Sequence, residues 1–126
     1  MQRILISGHS PYEPIVGYSR AVVAGDRVHV AGTAPIPADG GDPPEDAYEQ
    51  ARLCLEIVAE ALGRAGASLA DVVRTRVYLT DVADWDGVAR AHGESFAEVR
   101  PANTTVVAQL LDPRWKVEIE AEAVLP

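Results

Sequence analysis

The sequence predicts an α+β domain in which two helices cover one face of a single mixed β-sheet. Apolar residues alternate in some segments and follow a helical period in others, in the order strands, helix, strand, helix, two strands. Helices placed between strands in this way can share one face of one sheet. The chain has 126 residues, the length of an ordinary domain, so we expect residues 1–126 to form a single domain.

The N-terminal part of the chain predicts strands around a loop. Residues 3–7 are a short apolar run typical of a strand, whereas residues 8–17 are rich in glycine and proline, which predicts a loop. Residues 18–24 and 27–31 predict two strands joined as a hairpin by a Gly-Asp pair.

Two helices follow in the predicted order. A loop rich in proline and glycine, residues 35–44, precedes a helix that ends near Leu62. The apolar face of this helix contains Ala47, Ala51, Leu55, Val58 and Leu62. Ser68 and Asp71 predict a capping box on a one-turn helix. The second helix spans about residues 84–99 and is stopped by Pro101.

Three further strands are predicted at residues 72–80, 103–109 and 115–124. In the first of them Val73, Val77 and Leu79 are assigned to the apolar side. The last strand alternates between an apolar side and a charged side, the latter carrying Lys116, Glu118, Glu120 and Glu122. The acidic side must face solvent or a hydrated interface with paired charges. We expect Arg74 and Arg76 to pair mainly with Glu120 and Glu122.

Composition disfavours several classes of partner and site. The net charge is −8, with 11 scattered Lys and Arg residues, which argues against binding to nucleic acid or to an anionic membrane surface. No apolar stretch approaches a membrane span and no signal-peptide layout is present, so a cytoplasmic protein is predicted. The single cysteine, Cys54, excludes an intrachain disulfide, and the three histidines lack metal-ligand spacing. No metal site is predicted.

Segments along almost the whole chain resemble the RidA/YjgF family of reactive-intermediate deaminases. They are residues 28–33 (VHVAGT), 66–81 (GASLADVVRTRVYLTD), 100–106 (RPANTTV) and 117–123 (VEIEAEA). The resemblance implies a chorismate-mutase-like architecture and a homotrimer with small-molecule clefts between subunits. It also implies hydrolysis of enamines or imines, such as 2-aminoacrylate, to a keto acid and ammonia, without a metal or an organic cofactor.

Part of the family's pocket carries over to this sequence. The resemblance places the pocket tyrosine at Tyr18 and the signature glutamate at Glu118, which would be the catalytic acid and base. Ala31 and Gly32 match the small residue and the glycine that end the second strand of the hairpin. The competing interpretation of Glu118 is a charged strand face paired with arginine, and that of Tyr18 is an interface residue.

Three pocket positions depart from the family pattern. Asn103 stands where the signature arginine is expected, Thr105 where many members have cysteine, and Ala89 where they have a pocket asparagine. A guanidinium grips a carboxylate through two charge-assisted hydrogen bonds, whereas an asparagine amide brings no charge. We therefore expect 2-aminoacrylate to be a poor substrate. Arg76 and Arg100 are the alternatives for a substitute cation.

Two classes of function remain open at this point. One is a hydrolytic deaminase or tautomerase that acts on an imine, an enamine or a related reactive carbonyl compound. The other is a non-catalytic trimer that binds a small metabolite or another protein. Ribonuclease activity is disfavoured by the acidic surface. We interpret His29, His92, Cys54, Trp85 and Trp115 mainly as packing or interface residues.

Overall fold

A six-stranded mixed sheet forms the centre of the computed structural model, which describes residues 3–126. Its strands are β1 (Arg3–Ile6), β2 (Ala21–Ala24), β3 (Arg27–Thr33), β4 (Val72–Leu79), β5 (Ala102–Val107) and β6 (Val117–Val124). Their spatial order is β1-β2-β3-β6-β4-β5. Every neighbouring pair is antiparallel except β4 and β5, which are parallel. The predicted α+β class with one mixed sheet is confirmed.

The helices are α1 (Tyr12–Val16), α2 (Ala47–Arg64) and α3 (Trp85–Phe96), with short 3-10 turns at Leu69–Asp71 and Val82–Asp84. At the start of α2 the Asp46 carboxylate accepts a hydrogen bond from the Glu49 backbone N–H at 3.1 Å. The capping box between Ser68 and Asp71 is present as predicted. Between Arg3 and Pro126, no helix is both long enough and apolar enough to cross a membrane.

Helix α1 corrects the prediction of a continuous loop over residues 8–17. Five residues are too few to show a helical period in a sequence, and two prolines lie close to the start of the helix. Proline is tolerated there because the first turn of a helix needs no backbone N–H donors. The helix ends at Gly17, whose φ of 88° requires the left-handed conformation that glycine adopts most easily.

The core lies between α2 and α3 and one face of the sheet. Ile119 is fully buried, as are Val58 and Leu62 of α2. Along β6 buried and half-buried residues alternate, which confirms the two faces predicted for this strand. In β4 the prediction for Val73 is wrong: it is 45% exposed, because an irregularity in the pairing between Val72 and Arg74 buries Val72 instead.

The other face of the sheet carries the acidic residues of β6. The Arg76 guanidinium lies 3.1 Å from Glu122 and 3.7 Å from Glu120, and the Tyr78 hydroxyl donates to Glu120. The predicted pairing of Arg76 is confirmed. Arg74 differs from the prediction, because its guanidinium donates to the Thr104 hydroxyl at 2.7 Å. The hydroxyl is available because β5 pairs with the side of β4 that is remote from β6.

Candidate functional site

The predicted site residues fall into two groups on the chain. Tyr18, Ala31, Gly32 and Glu118 lie around β3 and β6, whereas Ala89, Asn103 and Thr105 lie around α3 and β5. Strand β4 separates β6 from β5 in the sheet. Tyr18 and Ala31 line one cavity, and Ala89, Asn103 and Thr105 line another that shares no residue with it. Gly32 and Glu118 line neither of these two cavities.

The first cavity is a wide cleft of about 810 Å³ beside the N-terminal hairpin. Polar side chains from β1, α1, β3, β6 and the loops around α1 line it, among them Arg3, Ser10, Glu13, Tyr18, His29, Glu120 and Glu122. The hydroxyls of Tyr18 and Ser10 lie 3.3 Å apart. Ala31 also lines the cleft, so two of the predicted binding residues, Tyr18 and Ala31, meet there.

Glu118 packs against the backbone of Gly32. A Cβ built on Gly32 would overlap the Glu118 carboxylate, and the Glu118 Cδ would lie 3.4 Å from it. No residue from Arg3 to Pro126 makes a hydrogen bond to this carboxylate. Burial raises the pKa of Glu118, the positive charge of Arg20 lowers that pKa, and the negative charge of Glu120 raises it further. The carboxyl group is therefore easier to protonate than an ordinary glutamate.

Arg20 is the cation that sequence reasoning missed at this site. Its side chain is 4% exposed, and its Nη2 donates to the Gly32 carbonyl oxygen at 2.5 Å. Within residues 3–126 its Nε is buried without a hydrogen-bond partner. Gly32 thus lies between two charged side chains, with Glu118 against its Cα and Arg20 on its carbonyl. The sequence placed Arg20 inside a predicted strand, residues 18–24, and such a position does not distinguish a buried guanidinium from an exposed one.

The two arginines considered as substitutes are placed elsewhere. Arg76 is engaged by Glu120 and Glu122. Arg100 is exposed and has a φ of 51°, in the turn that leads from α3 to β5. The buried positive charge near Glu118 is that of Arg20.

The second cavity is small, about 120 Å³, and lies between α3 and the edge of the sheet. Ala89, Asn103 and Thr105 all line it, so the structure brings together the three positions that depart from the family pattern. His92 and Trp85 complete its polar and aromatic lining.

Hydrogen bonds connect three residues of this lining, His92, Asn103 and Thr105, by way of the buried Thr75. The Thr75 hydroxyl lies 2.8 Å from His92 Nε2 and accepts from Asn103 Nδ2 at 3.0 Å. The Thr105 hydroxyl donates to Asn103 Oδ1 at 3.0 Å. Burial lowers the pKa of His92, which favours the neutral imidazole. Thr75 was not identified from the sequence, because a fully buried threonine on a strand looks like an ordinary core residue.

Cys54 is fully buried in α2, and burial raises the pKa of its thiol far above the ordinary range. A thiol that stays protonated is a poor nucleophile, which supports its interpretation as a core residue. Trp115 is buried and packs edge-on against Tyr12, with ring centroids 6.1 Å apart.

Comparison with known proteins gives consistent results along the chain. The sequence model of the family described as endoribonuclease L-PSP matches residues 7–125. The chain is 42% identical to Rv2704 of Mycobacterium tuberculosis, described as a member of the YjgF/YER057c/UK114 family. That match covers 98% of this chain and 100% of the other, with a TM-score of 0.90.

Two further relatives extend the comparison. TdcF of Escherichia coli K12, provisionally named a reactive intermediate deaminase, is 32% identical over 98% of each chain. The structure of E. coli TdcF with bound serine matches with a TM-score of 0.81 and 30% identity, over 97% of this chain and 94% of that one. An uncharacterized protein of Streptomyces coelicolor is 42% identical over 94% of this chain and 89% of its own length.

Proposed function

Because the chain belongs to the endoribonuclease L-PSP family, which includes the YjgF and Rid proteins, we propose that it hydrolyses an imine or enamine of a small carbonyl metabolite. In this reaction water adds to the carbon of the C=N bond, and the carbinolamine then expels ammonia to leave a carbonyl compound. A tautomerase reaction on the same substrates needs the same acid and base. Neither reaction requires a metal or an organic cofactor.

The main observation in support of the proposal is that the half-buried Glu118 carboxyl group packs against the backbone of Gly32. In its protonated form it would give a proton to the imine nitrogen or to the enamine carbon. As a carboxylate it would take a proton from the attacking water and return it to the departing ammonia. Burial raises the pKa of Glu118, which moves this group toward the working pH and so favours general acid–base catalysis. Tyr18 and the Gly32 backbone would bind the substrate beside it.

The two separate groups of residues support a site shared between subunits of a homotrimer. On one chain β4 lies between the Glu118 group and the Asn103 group. A second copy could bring its β5 and α3 against β3 and β6 of the first. The apolar side chains exposed on β5, Val106 at 44% and Val107 at 57%, would be covered by such an assembly. Light scattering should give about three times the 13.4 kDa mass of the chain, and a monomer at micromolar concentration would contradict this.

The catalytic role is tested by Glu118→Gln, which keeps the shape of the side chain but cannot exchange a proton. We expect imine hydrolysis to fall by about 10²–10⁴-fold with nearly unchanged melting temperature. Glu120→Gln on the same strand should weaken the assembly. Because it also removes a charge that raises the pKa of Glu118, it should shift the pH dependence of hydrolysis without abolishing it. If Glu118→Gln spares activity and destabilises the assembly, the two roles have been assigned the wrong way round.

A binding module without chemistry is the second candidate, and Asn103 in the arginine position favours it. A small-molecule ligand that raises the melting temperature without being turned over would support this alternative. RNA is a poor candidate substrate despite the descriptive name of the family, because the net charge of −8 opposes phosphate binding. We propose a cytoplasmic location, and small-molecule rather than membrane or nucleic-acid partners.

A further inference from the structure

We propose that the cavity at Asn103 binds a neutral amide-type group, such as a carboxamide or a ureide, and discriminates against a carboxylate. This inference deepens the proposed function, on which it rests, by naming the class of substrate. It depends on how the Asn103 side chain is held and on which side of the sheet the nearby cations lie.

The Asn103 amide is held at both of its ends. Its nitrogen donates to Thr75 and its oxygen accepts from Thr105, each at 3.0 Å. A primary amide has two N–H donors and two oxygen lone pairs. One N–H and one lone pair therefore stay free for a ligand, and the side chain cannot rotate to offer a different combination without breaking both bonds.

The residues behind Asn103 keep this site uncharged. Thr75 Oγ1 accepts from Asn103 and has a single proton, which it can donate to His92 Nε2 at 2.8 Å when the imidazole is neutral. Burial of His92 favours that neutral form. In the neutral tautomer with its proton on Nδ1, the hydrogen bonds run in one direction, from Asn103 through Thr75 to His92, and no member carries a charge.

The nearest strand cations lie on the opposite face of the sheet. Side chains alternate along β4, so Thr75 is buried on the face covered by the helices, where it contacts Asn103, while Arg74 and Arg76 point the other way. Arg74 donates to Thr104 there, and Arg76 pairs with the acidic residues of β6. None of the eight residues that line the cavity is Lys, Arg, Asp or Glu.

These features match an amide better than a carboxylate. An amide offers one acceptor and at least one donor, which complement the free N–H and the free lone pair of Asn103, and Thr105 retains lone pairs for a second donor. A carboxylate has no donor, so it would oppose the lone pairs and would lose hydration without gaining a cation. The cavity volume of about 120 Å³ leaves room for a small polar group.

Pyruvamide and pyruvate form a matched pair of probes, since they differ only in an amide and a carboxylate. Titration of ¹⁵N-labelled protein, followed at the Asn103 side-chain NH₂ signals, should give an affinity for pyruvamide at least about tenfold higher than for pyruvate. In the variants, which lack these signals, binding is followed at the Thr105 backbone amide, and Asn103→Arg should reverse this preference. Asn103→Ala, whose side chain cannot disturb the exposed strand, should abolish the preference for pyruvamide without creating one for pyruvate.

Equal affinities in the unmodified protein, a preference for pyruvate, or pyruvamide that leaves the Asn103 signals unmoved would overturn the inference. Its failure is separate from failure of the proposed function. Hydrolysis that depends on Glu118 but is faster with carboxylate substrates would contradict only the proposed amide preference. If the protein binds pyruvamide selectively but hydrolyses no imine, only the catalytic proposal would be contradicted.

Discussion

Replacing Gly32 by alanine should separate the chemistry of the Glu118 site from the stability of the fold. The added Cβ would stand well inside 3.0 Å of Glu118 Oε2, closer than real Cβ contacts come. Gly32 has no positive φ, so the backbone accepts alanine without strain. The steric overlap involves only the carboxylate end of the flexible Glu118 side chain, which can move away.

The size of the effect follows from that movement. Restoring an ordinary contact requires the carboxylate to withdraw by roughly 1 Å. A misplacement of about 1 Å in a catalytic group can lower the rate about 10²-fold. The free energy of unfolding should change by about 1 kcal/mol or less, because the displaced Glu118 side chain is half-buried and no core side chain must move.

The assay compares imine hydrolysis and urea unfolding of Gly32→Ala with those of Gly63→Ala. Nothing lies within 4 Å of a Cβ at Gly63, which is inside α2. There the same substitution should stabilise the protein by about 0.5–1 kcal/mol and leave hydrolysis unchanged. Activity of Gly32→Ala within twofold of the unmodified protein would refute the placement of Glu118 as the working acid and base.

Three other perturbations test the surrounding electrostatics. Arg20→Gln removes a charge that lowers the pKa of Glu118, so this pKa should rise in a carboxyl NMR titration; an unmoved titration would show that the arginine is only a packing group. The folded-state pKa of His92 lies below 6.5, so stability should fall as the pH drops below 6.5, because the unfolded chain takes the proton more readily. His92→Gln should lose this pH dependence of stability. If the free energy of unfolding in urea falls equally between pH 8 and pH 5 in both proteins, the pH dependence does not come from His92. Glu122→Gln removes the nearest partner of Arg76 and should raise the concentration at which the assembly dissociates on dilution, measured by light scattering; dissociation at an unchanged concentration would place this ion pair outside the interface.

The sequence predicted the parts of the fold that have long and regular patterns. Helix α2 and strand β6 show their periods over 18 and 8 residues, and both are confirmed. Helix α1 is one short turn without a period, and the exposure of Val73 depends on an irregular strand pairing that composition does not encode. Helix α3 was predicted to extend to residue 99 but ends at Phe96.

The candidate site was predictable only where single residues match a known pattern. Glu118 and Asn103 were identified in this way, and their roles stay predictions. Arg20 and Thr75 contact Gly32 and Asn103, and these contacts join residues that are 12 and 28 positions apart in the chain. A sequence records the residue types of such partners but not that they meet.

The positions of β6 and β5 in the sheet imply that the two strands differ in how well they tolerate amino-acid substitutions. Strand β6 is bonded on both sides, to β3 and β4, so a change in its path would disturb two neighbours and the core. Strand β5 is bonded on one side, to β4, and most of its side chains are exposed. Substitutions at exposed positions usually change stability by only about 0.5 kcal/mol. Within one chain, a replacement on the outer strand, which carries Asn103, should therefore disturb the fold less than a replacement on the strand that carries Glu118.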